Sequence, residues 1–208
     1  SIIDKEAVWA LARELEIDGI MSFAVDPGVV TAAYVQDQMG LPGNPYESVK
    51  ILQNKDRFRR FLSEYGFNVP WAFGFSSVGD TLLKSGEFTY PLIVKPTDSA
   101  GSKGVTRVDR AEDLVKYALK HSISERVIVE EFIEKEGCSS DTDCFSVDGE
   151  LKFVSFSAQR FDEKAANPYT PSAFSWPSTM TKEQEAELTF ELQRLLYLLG
   201  MRTSIYNV

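Results

Sequence analysis

The spacing of apolar positions changes from helical to strand-like after residue 70. Before that point, apolar residues recur three and four positions apart, which predicts helices that begin near Asp4, Asp26 and Lys55. A short apolar run at 19–23 predicts a buried strand between the first two helices. This alternation is typical of a parallel α/β segment, one too short to form a complete doubly wound domain.

The second part of the chain predicts a small α+β module followed by an antiparallel sheet. Six strands are expected, at 71–75, 91–95, 105–108, 127–131, 139–146 and 151–159. Asp148-Gly149 is a tight-turn dipeptide, so the last two should form a hairpin. A polar loop is expected over 161–180. A helix should begin with the capping box Thr181-x-x-Gln184, and 201–208 should begin a further strand.

Composition narrows the class of protein. The chain has 208 residues, 43% of them hydrophobic, so it can bury a core and is not a disordered or low-complexity segment. Its net charge of −9 argues against a nucleic-acid surface, which needs a basic stripe. No apolar run approaches the roughly 18 residues of a membrane span, and the first residues do not resemble a secretory signal. We therefore expect neither a nucleic-acid nor a membrane partner.

Cysteine and histidine usage excludes two further classes of site. The only cysteines, Cys138 and Cys144, are too few for a disulfide scaffold and too far apart along one strand to bond. We expect free thiols in a reducing compartment, and hence a cytoplasmic protein. The single histidine, His121, excludes multi-histidine zinc sites and is expected to cap the end of a helix.

The segment 92–105 has the strongest candidate chemistry. A strand ends in Lys95, and a loop rich in Ser, Ala, Gly and Lys follows to Gly104. Small residues let backbone N–H groups converge on phosphate oxygens, and Lys95 would add a fixed positive charge. The loop is not a Walker A motif. Taken alone, it is equally compatible with a hairpin that carries a solvated lysine.

Five segments, in their order and spacing, resemble the ATP-grasp superfamily. Within it, the chain is most similar to the carbamoyl-phosphate synthase large-chain type, with biotin carboxylase as a relative. The segments are LPGNP at 41–45, NKDRF at 54–58, PLIVKP at 91–96, SAGSKGV at 99–105 and VEEFI at 129–133. The resemblance implies a partial, Rossmann-like pre-ATP-grasp segment over 1–48 and a helical connector over 49–68. It also implies an ATP-grasp lid subdomain over 69–132 and the start of a C-terminal antiparallel-sheet subdomain over 133–208.

The resemblance also implies a site for ATP. Lys55 and Lys95 match the basic residues that grip phosphates. The lid loop that closes over the β- and γ-phosphates corresponds to Ser99, Ala100, Gly101, Ser102, Lys103 and Gly104. The adenine-binding hinge corresponds to Glu130, Glu131, Phe132 and Ile133, for which the alternative is a strand end with solvated carboxylates. The usual ribose-binding Glu falls on Gly137, and Glu136 could substitute for it.

The reaction implied by the resemblance is that of an ATP-dependent ligase. A small carboxylate or bicarbonate becomes an acyl or carboxy phosphate, which an amine or ammonia attacks. The family's Mg²⁺ ligands would lie beyond Val208, so we expect a fragment of a longer enzyme that is inactive alone. No metal ligand is assigned within the chain, and the incomplete sheet could pair with a second copy.

Two alternatives to the ligase stay open. One is a non-catalytic nucleotide-binding or regulatory module with the same fold. The other is a sugar- or amino-acid-binding α/β domain, which leaves the order of the five segments unexplained.

Overall fold

The computed structural model describes residues 1–23, 25–99, 101–120 and 126–207, which form two compact units. The first unit comprises Ser1–Gln53, Gly137–Arg160 and Ser172–Val208. The second comprises Asn54–Glu136 and Phe161–Pro171. The helix-capping role expected of His121 lies outside the described residues.

The described residues form seven α-helices and eight strands. The helices are α1 (Lys5–Glu14), α2 (Asp26–Met39), α3 (Tyr46–Gln53), α4 (Lys55–Glu64), α5 (Val78–Leu83), α6 (Ala111–Lys120) and α7 (Lys182–Leu198). The strands are β1 (Ala72–Phe75), β2 (Leu92–Pro96), β3 (Thr106–Val108), β4 (Val127–Glu131), β5 (Ser140–Val147), β6 (Glu150–Phe161), β7 (Pro171–Ser175) and β8 (Ser204–Asn207).

The second unit is built on a four-stranded antiparallel sheet in the order β1-β4-β2-β3. One face of this sheet packs on α5 and α6, because alternate strand residues are apolar and point to the same side. The buried cluster on that face comprises Val78, Leu92, Val94, Val108, Leu114, Tyr117, Val127 and Val129. Lys95 and Glu130 alternate with these core residues and therefore lie on the opposite face.

The first unit contains a second antiparallel sheet in the order β7-β6-β5-β8. The predicted hairpin is confirmed, since Asp148 and Gly149 turn β5 into β6 with φ of 51° and 84°. The capping box at Thr181 is also confirmed, with both of its reciprocal hydrogen bonds present at the start of α7. Residues 201–208 contribute β8, which pairs with β5.

Two predicted elements in this unit are wrong. Residues 19–23 form no strand, and Met21 and Phe23 are 71% and 69% exposed. A strand needs a neighbour for its backbone groups, and no strand in the described part of the chain pairs with this run. Conversely, the predicted polar loop over 161–180 contains β7, which forms an edge of the sheet beside β6.

Two other features agree with the sequence. Cys138 and Cys144 are both free thiols, as predicted. Among the helices in the described ranges, none combines the length and the apolar character that a membrane crossing requires.

Candidate functional site

A buried ion pair joins two neighbouring strands of the second unit. Lys95 near the end of β2 and Glu130 near the end of β4 lie on the same face of the sheet. The Lys95 Nζ lies 2.5 Å from the Glu130 Oε2, and the two side chains are 17% and 6% exposed. Glu130 is therefore not the solvated carboxylate of the alternative interpretation, whereas Glu131, which points the other way, is exposed.

A second cation binds the same carboxylate from helix α4. The Arg59 Nε donates to the Glu130 Oε1 at 2.7 Å. Each carboxylate oxygen thus has its own cationic partner, which compensates the cost of removing the charge from water. Two positive groups share one negative group, so this part of the sheet keeps an excess of positive charge.

Helix α4 contacts the sheet at a glycine. A Cβ at Gly74 of β1 would overlap the carboxylate of Asp56, so a larger residue there would displace this side chain. Asp56 is in turn bound by Arg60 within the same helix. The start of α4 is capped by the Asn54 side chain, which accepts from the Arg57 N–H at 3.0 Å.

Lys55, the first residue of α4, connects that helix to the loop after β2. Its backbone N–H donates to the Thr97 carbonyl at 3.0 Å, and its Nζ donates to the Ser99 carbonyl. Lys55 therefore contacts the segment that directly follows Lys95 in the chain, while the Lys95 side chain binds Glu130.

The loop from Ser99 to Gly104 has an unusual backbone. Gly101, Ser102 and Gly104 all have positive φ, at 64°, 57° and 76°. Positive φ is uncommon for a residue other than glycine, so Ser102 needs support from its surroundings. Part of that support lies within the loop, where the Ser99 Oγ donates to the Lys103 carbonyl at 2.9 Å. Ala100, also assigned to this loop, lies outside the described residues.

Further support comes from the segment 161–171. The Ser102 Oγ donates to the Tyr169 carbonyl, and the Asn167 Nδ2 donates to the Ser102 carbonyl, both at 2.9 Å. The Asn167 Oδ1 also accepts from the Tyr169 N–H at 3.0 Å, which fixes the amide orientation. Burial raises the pKa of the Tyr169 phenol, in keeping with a ring packed into the unit. We call this arrangement of Ser102, Asn167 and Tyr169 the loop clasp.

The hinge residues follow the end of β4. The Glu131 N–H still donates to the Trp71 carbonyl at 3.1 Å, whereas Phe132 and Ile133 lie beyond the strand. The Phe132 ring is covered by the Arg107 guanidinium at 4.2 Å from its centroid. Ile133 is 61% exposed and thus offers an apolar surface at the strand end.

The remaining site predictions concern the ribose contact and the metal. Glu136 is exposed, and Gly137 beside it has a φ of 70°. Within the described ranges, no group of three or more His, Cys, Asp or Glu side chains could hold a metal ion. The described residues by themselves therefore do not form a Mg²⁺ site.

Sequence reasoning missed Arg59, Asn167 and Tyr169. Arg59 could have been found, because it follows Lys55 by four residues and so lies on the same helix face. Asn167 and Tyr169 gave no such signal, since nothing local indicates that 161–171 contacts the loop at Ser102.

The family described as "ATP-grasp domain" matches residues 52–202. The chain belongs to this family. The resemblance drawn from the five segments and the expected fold class are thereby confirmed.

Curated relatives of this chain include several carbamoyl phosphate synthase large chains. It is 23% identical over 204 residues to the carbamoyl phosphate synthase large chain of Thermotoga petrophila, covering 94% of this chain and 18% of that protein. It is 24% identical to the same enzyme of Neisseria meningitidis serogroup B, covering 81% and 16%. The chain therefore spans less than a fifth of these relatives.

Solved structures support the same fold. An L-amino acid ligase from Bacillus licheniformis superposes with a TM-score of 0.78 at 23% identity, covering 98% of this chain and 48% of that one. The biotin carboxylase domain of the Hydrogenobacter thermophilus 2-oxoglutarate carboxylase gives 0.72 at 17% identity, covering 99% and 47%. That crystal structure contains MgADP, ADP and bicarbonate.

Proposed function

We propose that the second unit binds ATP, with its phosphates held by Lys55, Lys95 and the backbone of the loop from Ser99 to Gly104. The observation that carries this proposal is the contact of Lys55 with the segment of small residues that directly follows Lys95. Backbone N–H groups and fixed cations are the groups that bind a polyphosphate. Family membership supports the same assignment.

The hinge extends this proposal to the base. Backbone groups from Glu130 to Ile133 lie at and beyond the end of β4, where an adenine edge can find one donor and one acceptor. Ile133 supplies an exposed apolar surface for the ring. Because Arg107 covers the Phe132 ring, we assign Phe132 to shaping the hinge more than to stacking on adenine. Glu136 is retained as the candidate for the ribose.

We infer that the parent protein is an ATP-dependent ligase of the carbamoyl-phosphate synthase-like type. A carboxylate or bicarbonate oxygen attacks the γ-phosphorus, and ADP leaves. The nitrogen of an amine or ammonia then attacks the carbonyl carbon, and phosphate leaves with formation of the amide-type bond. Phosphoryl transfer depends chiefly on positioning and charge neutralisation, which Lys55 and Lys95 can supply.

We also propose the subdomains and the metal requirement that the resemblance implies, and the location that the free thiols indicate. These proposals comprise the division into the subdomains 1–48, 49–68, 69–132 and 133–208, a cytoplasmic location and a requirement for Mg²⁺. The names of the relatives and the MgADP in the biotin carboxylase structure support the choice of nucleotide and metal. A regulatory module would bind ATP in the same way and release no phosphate.

Nucleotide binding is tested directly with the Lys95→Met variant. ATP should raise the melting temperature of the wild-type chain by mass action, and Lys95→Met should weaken ATP binding by about tenfold or more. The matched control is Lys116→Met, which removes the same charge from an exposed position on α6. Equal ATP affinities for the wild type and Lys95→Met, or no binding to the wild type, would refute the assignment.

A further inference from the structure

Glu130 is bound by two cations, and the proposed function uses only one of them. We propose that Arg59 is a positioning residue that neutralises Glu130 and so leaves Lys95 available to a phosphate oxygen. This inference rests on the proposed ATP site and extends it to a residue outside the assigned set.

The two ion pairs use different oxygens of the carboxylate. Arg59 binds Oε1 at 2.7 Å and Lys95 binds Oε2 at 2.5 Å. When the Lys95 ammonium turns towards a phosphate, the Oε2 contact weakens while the Oε1 contact remains. Glu130 thus keeps the Arg59 guanidinium as a partner throughout.

Without Arg59, phosphate and Glu130 would compete for the same ammonium group. The Glu130 side chain is only 6% exposed, so water cannot replace a lost partner. Binding of phosphate to Lys95 would then leave a buried, unpaired carboxylate close to a second anion, and that state is strongly disfavoured. ATP affinity should therefore depend on Arg59, although Arg59 need not contact the nucleotide.

The sequence places Arg59 correctly for this role. It lies one helical turn after Lys55, so one face of α4 carries both the lysine that reaches the loop and the arginine that reaches β4. The Asp56 side chain, at the start of the same helix, packs directly against Gly74 of β1. A small shift of α4 would thus alter both contacts together.

The test is a mutant cycle read by ATP affinity, with the melting temperature of each variant as a check on folding. Arg59→Met should weaken ATP binding by about tenfold or more, and Arg59→Lys should recover part of the loss. Adding Glu130→Gln to Arg59→Met should restore affinity towards that of Glu130→Gln alone, because no buried charge then competes for Lys95. Arg57→Met, which removes the same charge from the same helix, should bind ATP like the wild type.

The outcomes separate this inference from the proposed function. If the wild type binds ATP and Arg59→Met binds it equally well, Arg59 has no positioning role. If the affinity lost in Arg59→Met does not return with Glu130→Gln, Arg59 acts only by holding the helix in place, and the inference is again wrong. No ATP binding by the wild type would refute the proposed site itself, and the inference with it.

Discussion

The loop clasp should hold the loop from Ser99 to Gly104 in place when no nucleotide is bound. The substitution Asn167→Asp removes one of the hydrogen bonds of the clasp and tests this expectation. Aspartate keeps the Oδ1 that accepts from the Tyr169 N–H, so the local turn is retained. It loses the Nδ2 that donates to the Ser102 carbonyl at 2.9 Å, and it places a second oxygen against that carbonyl. The variant therefore removes one half of the clasp with almost no change in side-chain volume.

The free energy by which Asn167→Asp weakens the closed loop can be estimated from the lost hydrogen bond to the Ser102 carbonyl. A neutral hydrogen bond contributes about 0.5 to 1.5 kcal/mol net, and the facing oxygens add a repulsive contribution of similar size. A loss of about 1 to 2 kcal/mol multiplies the population of released loop by about five to thirty. The second bond of the clasp, from the Ser102 Oγ to Tyr169, remains and limits the effect to this range.

Limited proteolysis measures this population. Lys103 is exposed within the loop, and trypsin cleaves after lysine, so the rate of cleavage at that bond reports how often the loop opens. Mass spectrometry of the fragments isolates cleavage after Lys103 from cleavage elsewhere. In Asn167→Asp this rate should rise by about five- to thirtyfold, in keeping with the opening of the clasp.

The control for charge is Ala166→Asp, which adds the same negative charge at the neighbouring exposed position. It should be cleaved after Lys103 at the wild-type rate, because it leaves all the contacts of Ser102 intact. Two results would refute the reasoning. One is an unchanged rate in Asn167→Asp, and the other is an equal increase in both variants, which would make the effect one of charge alone.

Four further predictions concern Gly74, Cys144 and Thr181. Gly74→Ala should destabilise the chain by about 0.5 to 1 kcal/mol in urea unfolding, because its Cβ would displace the Asp56 carboxylate from its contact with Arg60; unchanged stability would refute the importance of this contact. Burial raises the pKa of the Cys144 thiol to about 11. Iodoacetamide at pH 8 should therefore label Cys138 and spare Cys144 in the native chain, and equal labelling of the two thiols would contradict the burial of Cys144. Between pH 9 and 11 the Cys144 thiol ionises in the unfolded chain and stays protonated in the folded chain, so the free energy of unfolding should fall by up to about 3 kcal/mol. Cys144→Ala should reduce this dependence of the unfolding free energy on pH. Thr181→Ala should cost about 1 kcal/mol in the same unfolding assay, since it removes the cap of α7; a neutral effect would refute the cap.

Features with a local physical cause could be predicted from the sequence. The Asp148-Gly149 turn and the Thr181 capping box each depend on a few neighbouring residues, and both form as predicted. The strands at Lys95 and Glu130 were also found, because short apolar runs bounded by turn residues are typical of buried strands. The family itself was recognised from segments whose order is visible in the chain.

Features that depend on distant partners could not be predicted. The run at 19–23 has the composition of a strand, yet a strand forms only beside a neighbour, which a single sequence does not reveal. The ion pair between Glu130 and Arg59 spans 71 positions, and no local pattern indicates it. The clasp between Asn167 and Ser102 spans 65 positions and has no local signature.

The candidate site depends on helix α4 as well as on the loop. Asn54 starts the helix, Lys55 reaches the loop, Asp56 seats against Gly74, and Arg59 binds the buried carboxylate. These positions are consecutive or one turn apart, so a rigid helix fixes their relative geometry. The phosphate-binding character proposed for Lys95 therefore depends on a helix that begins 40 residues earlier. For this reason substitutions of Lys55 and Arg59 on α4 should alter nucleotide affinity as strongly as substitutions in the loop itself.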